Sequence, residues 1–299
     1  MHLREIKELP GLFKETFAAW SASKTPRLGA SLAYYTVFAV APLFLLVLSI
    51  AGFFFGPQAA RRELFGQLSG LVGHEGGEAI QSMVAAANQH RAGTWATIAA
   101  VCTFVMGATA VFVELQDALN TIWDCKRKPG RGLRDFIRDR LLSFAMIVGI
   151  GFLFLVSLIL NATLAGFGSY ASVYLPEHRI VLAVLNFLLS LGVITALFAM
   201  IFKMLPDAKI RWRDVWVGAF VTALLFNLGK TLIGLYLGRS SVVSVYGAAG
   251  SLVVILLWVY YSAQILFFGA QFTRVYSEKH DEAEKNWFAS QEPAVEARH

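Results

Sequence analysis

Long apolar runs alternate with short polar segments along the whole chain. Each run has about 20 residues or more with few charges, which is the length an α-helix needs to cross roughly 30 Å of hydrocarbon. A membrane β-barrel would show shorter segments of alternating polarity instead. The pattern therefore predicts an all-α, polytopic membrane protein with six transmembrane helices. The predicted spans are Gly29–Phe55, Thr94–Leu115, Leu141–Ala165, Ile180–Leu205, Val215–Leu237 and Ser251–Phe272.

Three polar segments complete the organisation predicted around the membrane domain, residues 29–272. Residues 1–28 predict an amphipathic helix lying on the inner leaflet, with a partner-binding arm as the alternative. Residues 56–93 predict two short amphipathic helices on the outer face, which form either a lid over helix ends or a substrate-capturing segment. Residues 273–299 are expected to form a polar cytoplasmic tail. The N-terminal helix carries apolar side chains at Leu3, Ile6, Leu9, Leu12, Phe13, Phe17 and Trp20.

Composition and charge agree with a membrane protein and predict its orientation. With 57% hydrophobic residues, 15% charged residues and a mean hydropathy of +0.58, the chain has more apolar surface than one soluble core would bury. The polar segments on the side of the termini hold twenty lysines and arginines, and those on the opposite side hold five. Positive charge favours the cytoplasmic side, so we expect both termini in the cytoplasm.

Lys230 is the only lysine or arginine placed deep inside a predicted span. An ionisable group in hydrocarbon is costly, so we expect Lys230 to face the bundle interior, with snorkelling to the outer interface as the alternative. Asn227, Gly234 and Gly238 share one helix face with Lys230, and the two glycines predict close helix packing. The substrate-binding candidates are Lys230, Asn227, Asn161, Asn186 and Arg239.

Three further features lie within the predicted spans or at their ends. Glu114 and Asp117 share a helix face at the end of the second span, where they form a salt-bridge collar with the following basic loop or a proton-coupling site. Gly107 belongs to a small-residue packing face of the same span. Pro42 leaves a backbone carbonyl of the first span without its helical donor, which predicts a kink.

Three blocks of the sequence resemble the YihY/BrkB family of bacterial inner-membrane proteins. They are ASLAYYTVFAVAPLFLLVLSIAGFFFG from Ala30, LQDALNTIWD from Leu115, and the segment beginning DVWVGAFVTALLFNLGKTLIGLYLG at Asp214. The resemblance implies a six-span helical bundle in the cytoplasmic membrane. It also carries proposed roles in envelope lipid transport and serum resistance, beside an old ribonuclease assignment later given to an unrelated protein. The chain matches the family pattern at Asn120, Trp123, Lys230, Arg239, Ser240, Ser241, Tyr246 and Gly247.

The sequence favours a transporter or flippase over an enzyme. The six histidines fall in terminal or outer segments without metal-ligand spacing, and no nucleotide-binding loop, paired-cysteine motif or nucleophile motif occurs. We therefore predict no catalytic residue, metal or cofactor. The polar intramembrane face predicts transport of an anionic or amphipathic substrate, and the family resemblance implies a substrate related to the envelope. The alternative is a non-transporting accessory protein of envelope assembly. The expected partners are membrane lipids, with anionic lipids as candidates, and a second copy or an envelope protein; no nucleic acid is expected.

Overall fold

The fold is described by a computed structural model that covers residues 3–56, 58, 61–62, 64–66, 77–78, 80–82, 84–85, 110–125, 179–239 and 250–296. Every regular element within these ranges is an α-helix, so the predicted all-α class is confirmed for this part of the chain. The long helices are α1 (Leu3–Ala22), α2 (Thr25–Phe55), α3 (110–122), α4 (Arg179–Met204), α5 (Trp212–Arg239) and α6 (Gly250–Glu296).

Three of these helices are long and apolar enough to cross a membrane. The apolar segments are Phe187–Met204 in α4, Trp212–Leu237 in α5 and Leu252–Asp281 in α6, and they match the fourth, fifth and sixth predicted spans. Helix α2 covers the first predicted span as one element, while most of the second span and all of the third lie outside the described residues. The count of six spans therefore stays a prediction. Helix α6 continues well beyond Phe272, where the sixth span was predicted to end, to Glu296.

The chain divides into two compact units, and α5 and α6 contribute to both. Unit 1 comprises Met1–Ser23, Leu119–Leu224 and Phe268–His299, and unit 2 comprises Lys24–Ala118 and Leu225–Phe267. The division follows contacts between helices, and the boundaries at residues 28 and 272 that the hydropathy pattern predicts stay predictions.

In unit 1, α1 packs against the second half of α6. An ion pair between Lys279 Nζ and Glu15 Oε2, 2.7 Å apart, joins the same two helices. The side chain of Phe17 lies on another face of α1 and is 61% exposed. The N-terminal helix thus uses only part of its apolar surface for packing within the protein. The buried cluster between α1 and α6 consists of Leu12, Phe272, Val275 and Tyr276.

Also in unit 1, α5 and α6 meet through a reciprocal pair of glycines and threonines. A Cβ atom added at Gly218 would lie 1.8 Å from Thr273 Oγ1, and one added at Gly269 would lie 1.9 Å from Thr222 Oγ1. Both threonine hydroxyls donate to a glycine carbonyl on their own helix, Thr222 to Gly218 at 2.6 Å and Thr273 to Gly269 at 2.7 Å. Each helix therefore offers the sequence Gly-Ala-x-x-Thr to the other, and the missing glycine side chains allow close approach.

Unit 2 has a separate apolar core. Two of its buried residues, Ile80 and Val84, belong to the 56–93 segment, whose described residues near them are helical. Leu64 and Phe65 of the same segment are partly buried against this core. The described parts of 56–93 therefore pack on the helices of unit 2. The buried residues of this core cluster are Val37, Ile80, Val84, Leu237, Val254 and Ile255.

Candidate functional site

Lys230 and Asn227 lie one turn apart on α5, within the apolar segment Trp212–Leu237, and both are half-buried. At a rise of 1.5 Å per residue, Lys230 lies roughly 24 Å along the helix from the acidic group of Asp214. The hydroxyl of Thr231 donates to the Asn227 carbonyl at 3.2 Å. A cation this far into an apolar helix is costly unless its surroundings compensate, which makes the neighbourhood of Lys230 the leading candidate site.

The face of α5 that carries Lys230 is opposite the face that is most exposed. Leu228 and Leu232 are 59% and 52% exposed, and each lies roughly 200° around the helix from Lys230. On the packed side, a Cβ atom added at Gly229 would lie 2.4 Å from Ile265 Cδ1 and 3.1 Å from Tyr261 Cε1. The side chain of Lys230 therefore starts beside the contact of α5 with α6 and away from the exposed leucines.

A second polar group in unit 2 is the amide of Gln264 on α6. Both of its amide atoms are buried and have no hydrogen-bond partner among the described residues. The group lies against α2, because a Cβ atom added at Gly29 would be 2.0 Å from Gln264 Nε2. A buried, unpaired amide costs about 1–3 kcal/mol, so a polar molecule or group beside it would be stabilising. The spacing of residues along the chain gives no indication of this contact between Gln264 and Gly29.

The other predicted site residues belong to several helices, and their assembly around Lys230 stays a prediction. Glu114 and Asp117 are half-buried on α3. A Cβ atom added at Gly234 would meet no described atom within 4 Å, so the packing role proposed for this glycine stays a prediction. Two further residues, Asn161 and Gly107, lie outside the described residues. The surroundings of four more are also outside the described part, although their backbones belong to helices: Asn186, Arg239, Gly238 and Pro42.

Asn120, which belongs to the family pattern, holds a turn of unit 1 in place. Its side chain is 4% exposed. Asn120 Nδ2 donates to Asp207 Oδ2 at 2.9 Å, and the backbone N–H of Asp207 donates to Asn120 Oδ1 at 2.8 Å. This pair of bonds joins the end of α3 to the turn between α4 and α5. The position therefore has a structural role that the motif alone did not reveal.

The C-terminus of α3 is capped by backbone and side-chain contacts within unit 1. The N–H of Cys125 donates to the Asn120 carbonyl at 2.8 Å, and Asp124 has a left-handed backbone, with φ of 52°. This is the Schellman arrangement that ends many helices. Arg274 Nη1 donates to the Ile122 carbonyl at 2.6 Å, which places a cation at the negative end of the helix dipole.

Asp214 forms the most buried charged contact among the described residues. Asp214 Oδ2 accepts from Arg211 Nε and from Ser277 Oγ, each at 3.1 Å, and Arg211 also pairs with Asp281 at 3.1 Å. The residue is fully buried, and its Oδ1 has no partner in the described part of the chain. A carboxylate in the first turn of α5 is favoured by the helix dipole. The network therefore ties the start of α5 to α6.

Sequence reasoning missed several residues that these contacts use. Asp207, Arg274 and Asp214 act on partners far away in the chain, for which the spacing of residues gave no indication. The repeated Gly-Ala-x-x-Thr sequence on α5 and α6 was a signal that could have identified one helix contact. No group of three or more histidine, cysteine, aspartate or glutamate side chains that could hold a metal occurs among the residues described.

Cys125 is a free thiol that we expect to react slowly. Its Sγ lies 3.7 Å from the Trp123 carbonyl. Burial raises the pKa of the Cys125 thiol, Asp207 raises it further, and Arg274 opposes them. Because the thiolate is the reactive form, alkylation of Cys125 in a Cys102→Ala variant should be slower at pH 7 than alkylation of free cysteine. The rate should rise with pH, and this rise should occur at higher pH values than for free cysteine. Labelling that is quenched at timed intervals and followed by mass spectrometry measures the alkylation rates of Cys125 and of free cysteine. Equal rates at pH 7 would contradict the burial of this thiol.

A family model described as virulence factor BrkB matches residues 16–293, nearly the whole chain. The chain belongs to the BrkB family. This result confirms the resemblance found in the sequence, and the matched range includes Asn120 and Lys230.

Curated relatives of this BrkB-family chain are membrane proteins. A UPF0761 membrane protein of Mannheimia succiniciproducens is 26% identical over 279 residues, which cover 90% of this chain and 91% of the relative. A UPF0761 membrane protein of Pseudomonas paraeruginosa is 28% identical over 253 residues, covering 83% of this chain and 58% of the relative. One from Azotobacter vinelandii is 27% identical over 259 residues, covering 85% and 60%. The chain thus spans about three fifths of the two longer relatives. No solved structure matches the chain.

Proposed function

We propose that this BrkB-family membrane protein is a transporter or flippase for an anionic or amphipathic, envelope-related molecule. One observation supports this most strongly: the half-buried Lys230 lies deep in the apolar segment Trp212–Leu237, on the side of α5 opposite the exposed Leu228. A cation so placed attracts an anionic group into a region from which water and lipid are partly excluded. The unpaired amide of Gln264 adds a second polar group in the same unit.

The proposal includes a location and a mode of action. The family resemblance implies the cytoplasmic membrane, and the surplus of lysine and arginine on the side of the termini favours termini in the cytoplasm. The sequence has no nucleotide-binding loop, so the driving force would be a gradient, a partner or passive diffusion. In this scheme Lys230 holds the anionic group of the substrate, and no covalent chemistry takes place.

Specific contacts also favour a second candidate, an accessory protein that does not transport. Asn120 with Asp207, and Asp214 with Ser277, use polar side chains to join helices within unit 1. Polar contacts of this kind stabilise membrane bundles without any substrate. Normal envelope function after Lys230, Glu114 and Asp117 are all neutralised would favour this candidate over a transporter.

The transport proposal is tested by reconstituting the purified protein into liposomes. The probes are a fluorescent phosphatidylglycerol, whose movement between leaflets is followed by quenching, and small anions. We expect movement of at least one anionic probe above the rate in protein-free liposomes, and a loss of at least tenfold in Lys230→Met. The matched control is Leu228→Met, two residues away on the exposed face, which should keep the original rate.

Folding of both variants is checked by gel filtration and thermal unfolding in detergent. If Lys230→Met folds normally and moves every probe as fast as the original protein, Lys230 is not the substrate site. If the original protein moves none of the anionic probes, the accessory role gains support.

A further inference from the structure

The turn between α4 and α5 in unit 1 forms a basic surface at the ends of two membrane-length helices. The apolar segment of α4 ends at Met204, and that of α5 begins at Trp212. Residues 205–211 therefore connect two segments of hydrocarbon length, which places the turn where lipid headgroups meet water. The cations in and around the turn are Lys203, Lys209, Arg211 and Arg213.

The two carboxylates of this turn accept hydrogen bonds from other side chains of the protein. Asp207 accepts from the side chain of Asn120, and Asp214 accepts from Ser277 and Arg211. Lys209 and Arg213 are exposed. Residues 203–214 carry four lysines and arginines against two aspartates, so the turn has a net positive charge, with Lys209 and Arg213 at its surface.

An aromatic stripe leads from these cations along α5. Trp212, Trp216, Phe220 and Leu224 follow one another at four-residue steps and are 54%, 48%, 47% and 42% exposed. Residues at this spacing share one helix face. Tryptophan prefers the interface between headgroups and hydrocarbon, whereas phenylalanine and leucine suit the hydrocarbon itself. The order of side chains therefore matches a face that passes from headgroups into acyl chains.

Lys203 contacts Trp212, the first residue of the aromatic stripe. Its ammonium donates to the Ile210 carbonyl and lies 5.5 Å from the centroid of the Trp212 ring. A cation over an indole ring is attracted to it, so Lys203 holds Trp212 against the turn. The indole and the cations of the turn are kept together as one preformed surface.

We propose that this surface, formed by Lys203, Lys209, Trp212, Arg213 and Trp216, binds the headgroup phosphate of an anionic phospholipid. Lys209 and Arg213 contact the phosphate, and the acyl chains lie along Trp216 and Phe220. The charge of the turn favours an anionic lipid over a zwitterionic one, because two exposed cations gain from the extra negative charge. The lipid site is on a different part of α5 from Lys230 and does not depend on transport.

Native mass spectrometry of the full-length, delipidated protein tests this site. The probes are phosphatidylglycerol, phosphatidylcholine and inorganic phosphate. We expect phosphatidylglycerol to bind more tightly than phosphatidylcholine, and its affinity to fall roughly thirtyfold in the double variant Lys209→Gln/Arg213→Gln. Trp216→Ala should weaken both lipids, because the acyl chains lose their contact.

The matched control is Arg61→Gln/Arg62→Gln, which removes two exposed cations elsewhere on the chain and should leave the lipid affinity unchanged. Lys209→Gln alone keeps the test valid if the double variant unfolds, since it removes one exposed cation. Equal affinity for the two lipids, or the same loss in the control variant, would overturn the proposal. So would binding of inorganic phosphate as tight as that of phosphatidylglycerol, since the site would then take free phosphate.

Discussion

Replacing Gly218 by alanine is expected to lower the free energy of unfolding by about 2 kcal/mol. The added Cβ would lie 1.8 Å from Thr273 Oγ1 and 2.7 Å from Thr273 Cβ. Thr273 is β-branched and its hydroxyl already bonds to the Gly269 carbonyl, so it cannot rotate away without losing that bond. The helices would have to separate, which loses packing along the contact of α5 with α6. Thermal or denaturant unfolding in detergent micelles measures the change.

The same substitution at Gly234 provides the control on the same helix. No described atom lies within 4 Å of a Cβ added there, so Gly234→Ala should be neutral or slightly stabilising. A double variant, Gly218→Ala/Thr273→Ala, should recover part of the loss because the hydroxyl that collides is removed. If Gly234→Ala destabilises more than Gly218→Ala, the packing predicted from the Gly234 and Gly238 spacing is correct and the contact at Gly218 is not the decisive one.

Asn120→Asp should cost about 2 kcal/mol of stability, while the exchange Asn120→Asp/Asp207→Asn should restore most of it. The single variant replaces the Nδ2 donor by an acceptor and places two carboxylates within hydrogen-bond distance. In the exchanged pair, an oxygen of residue 120 still accepts from the backbone N–H of residue 207, and its other oxygen accepts from the new amide. The shape of both side chains is preserved, so only the pattern of donors and charges changes.

Asp207→Asn alone is the informative control for this exchange. Its amide oxygen can still accept from Asn120 Nδ2, and the backbone bond to Asn120 Oδ1 is unaffected. We expect a loss of less than about 1 kcal/mol. Unfolding midpoints of the four proteins measured together give the coupling energy of the pair. Additive losses in the double variant would show that the two residues do not interact.

The helical class and the last three spans could be predicted because the length of an apolar run is a local property of the sequence. The position of Lys230 away from the exposed leucines follows from helical periodicity in the same way. In contrast, Asn120 and Asp207 are 87 positions apart, and no local pattern pairs them. The division into two units also depends on which helices contact each other, so hydropathy alone could not provide it.

The sequence pattern also does not determine which glycines of α5 lie close to α6. Gly234 and Gly238 have the small-residue spacing of packed membrane helices, and their packing stays a prediction, while the structure shows a close approach to α6 at Gly218 and Gly229. Spacing identifies faces with small residues but does not say which of several faces meets a neighbour. The decisive information is the complementary threonine on the partner helix, and it becomes visible only when the two sequences are aligned in opposite directions.

The accessibility of position 230 from water tests the central claim of the transport proposal most directly. In a Cys102→Ala/Cys125→Ala background, Lys230→Cys and Leu228→Cys are exposed in liposomes to a small, charged, membrane-impermeant thiol reagent. We expect the cysteine at position 230 to be labelled, because it lies beside a polar interior, and the cysteine at position 228 not to be labelled, because it faces lipid. Labelling at position 228 that is as fast as, or faster than, labelling at position 230 would contradict it.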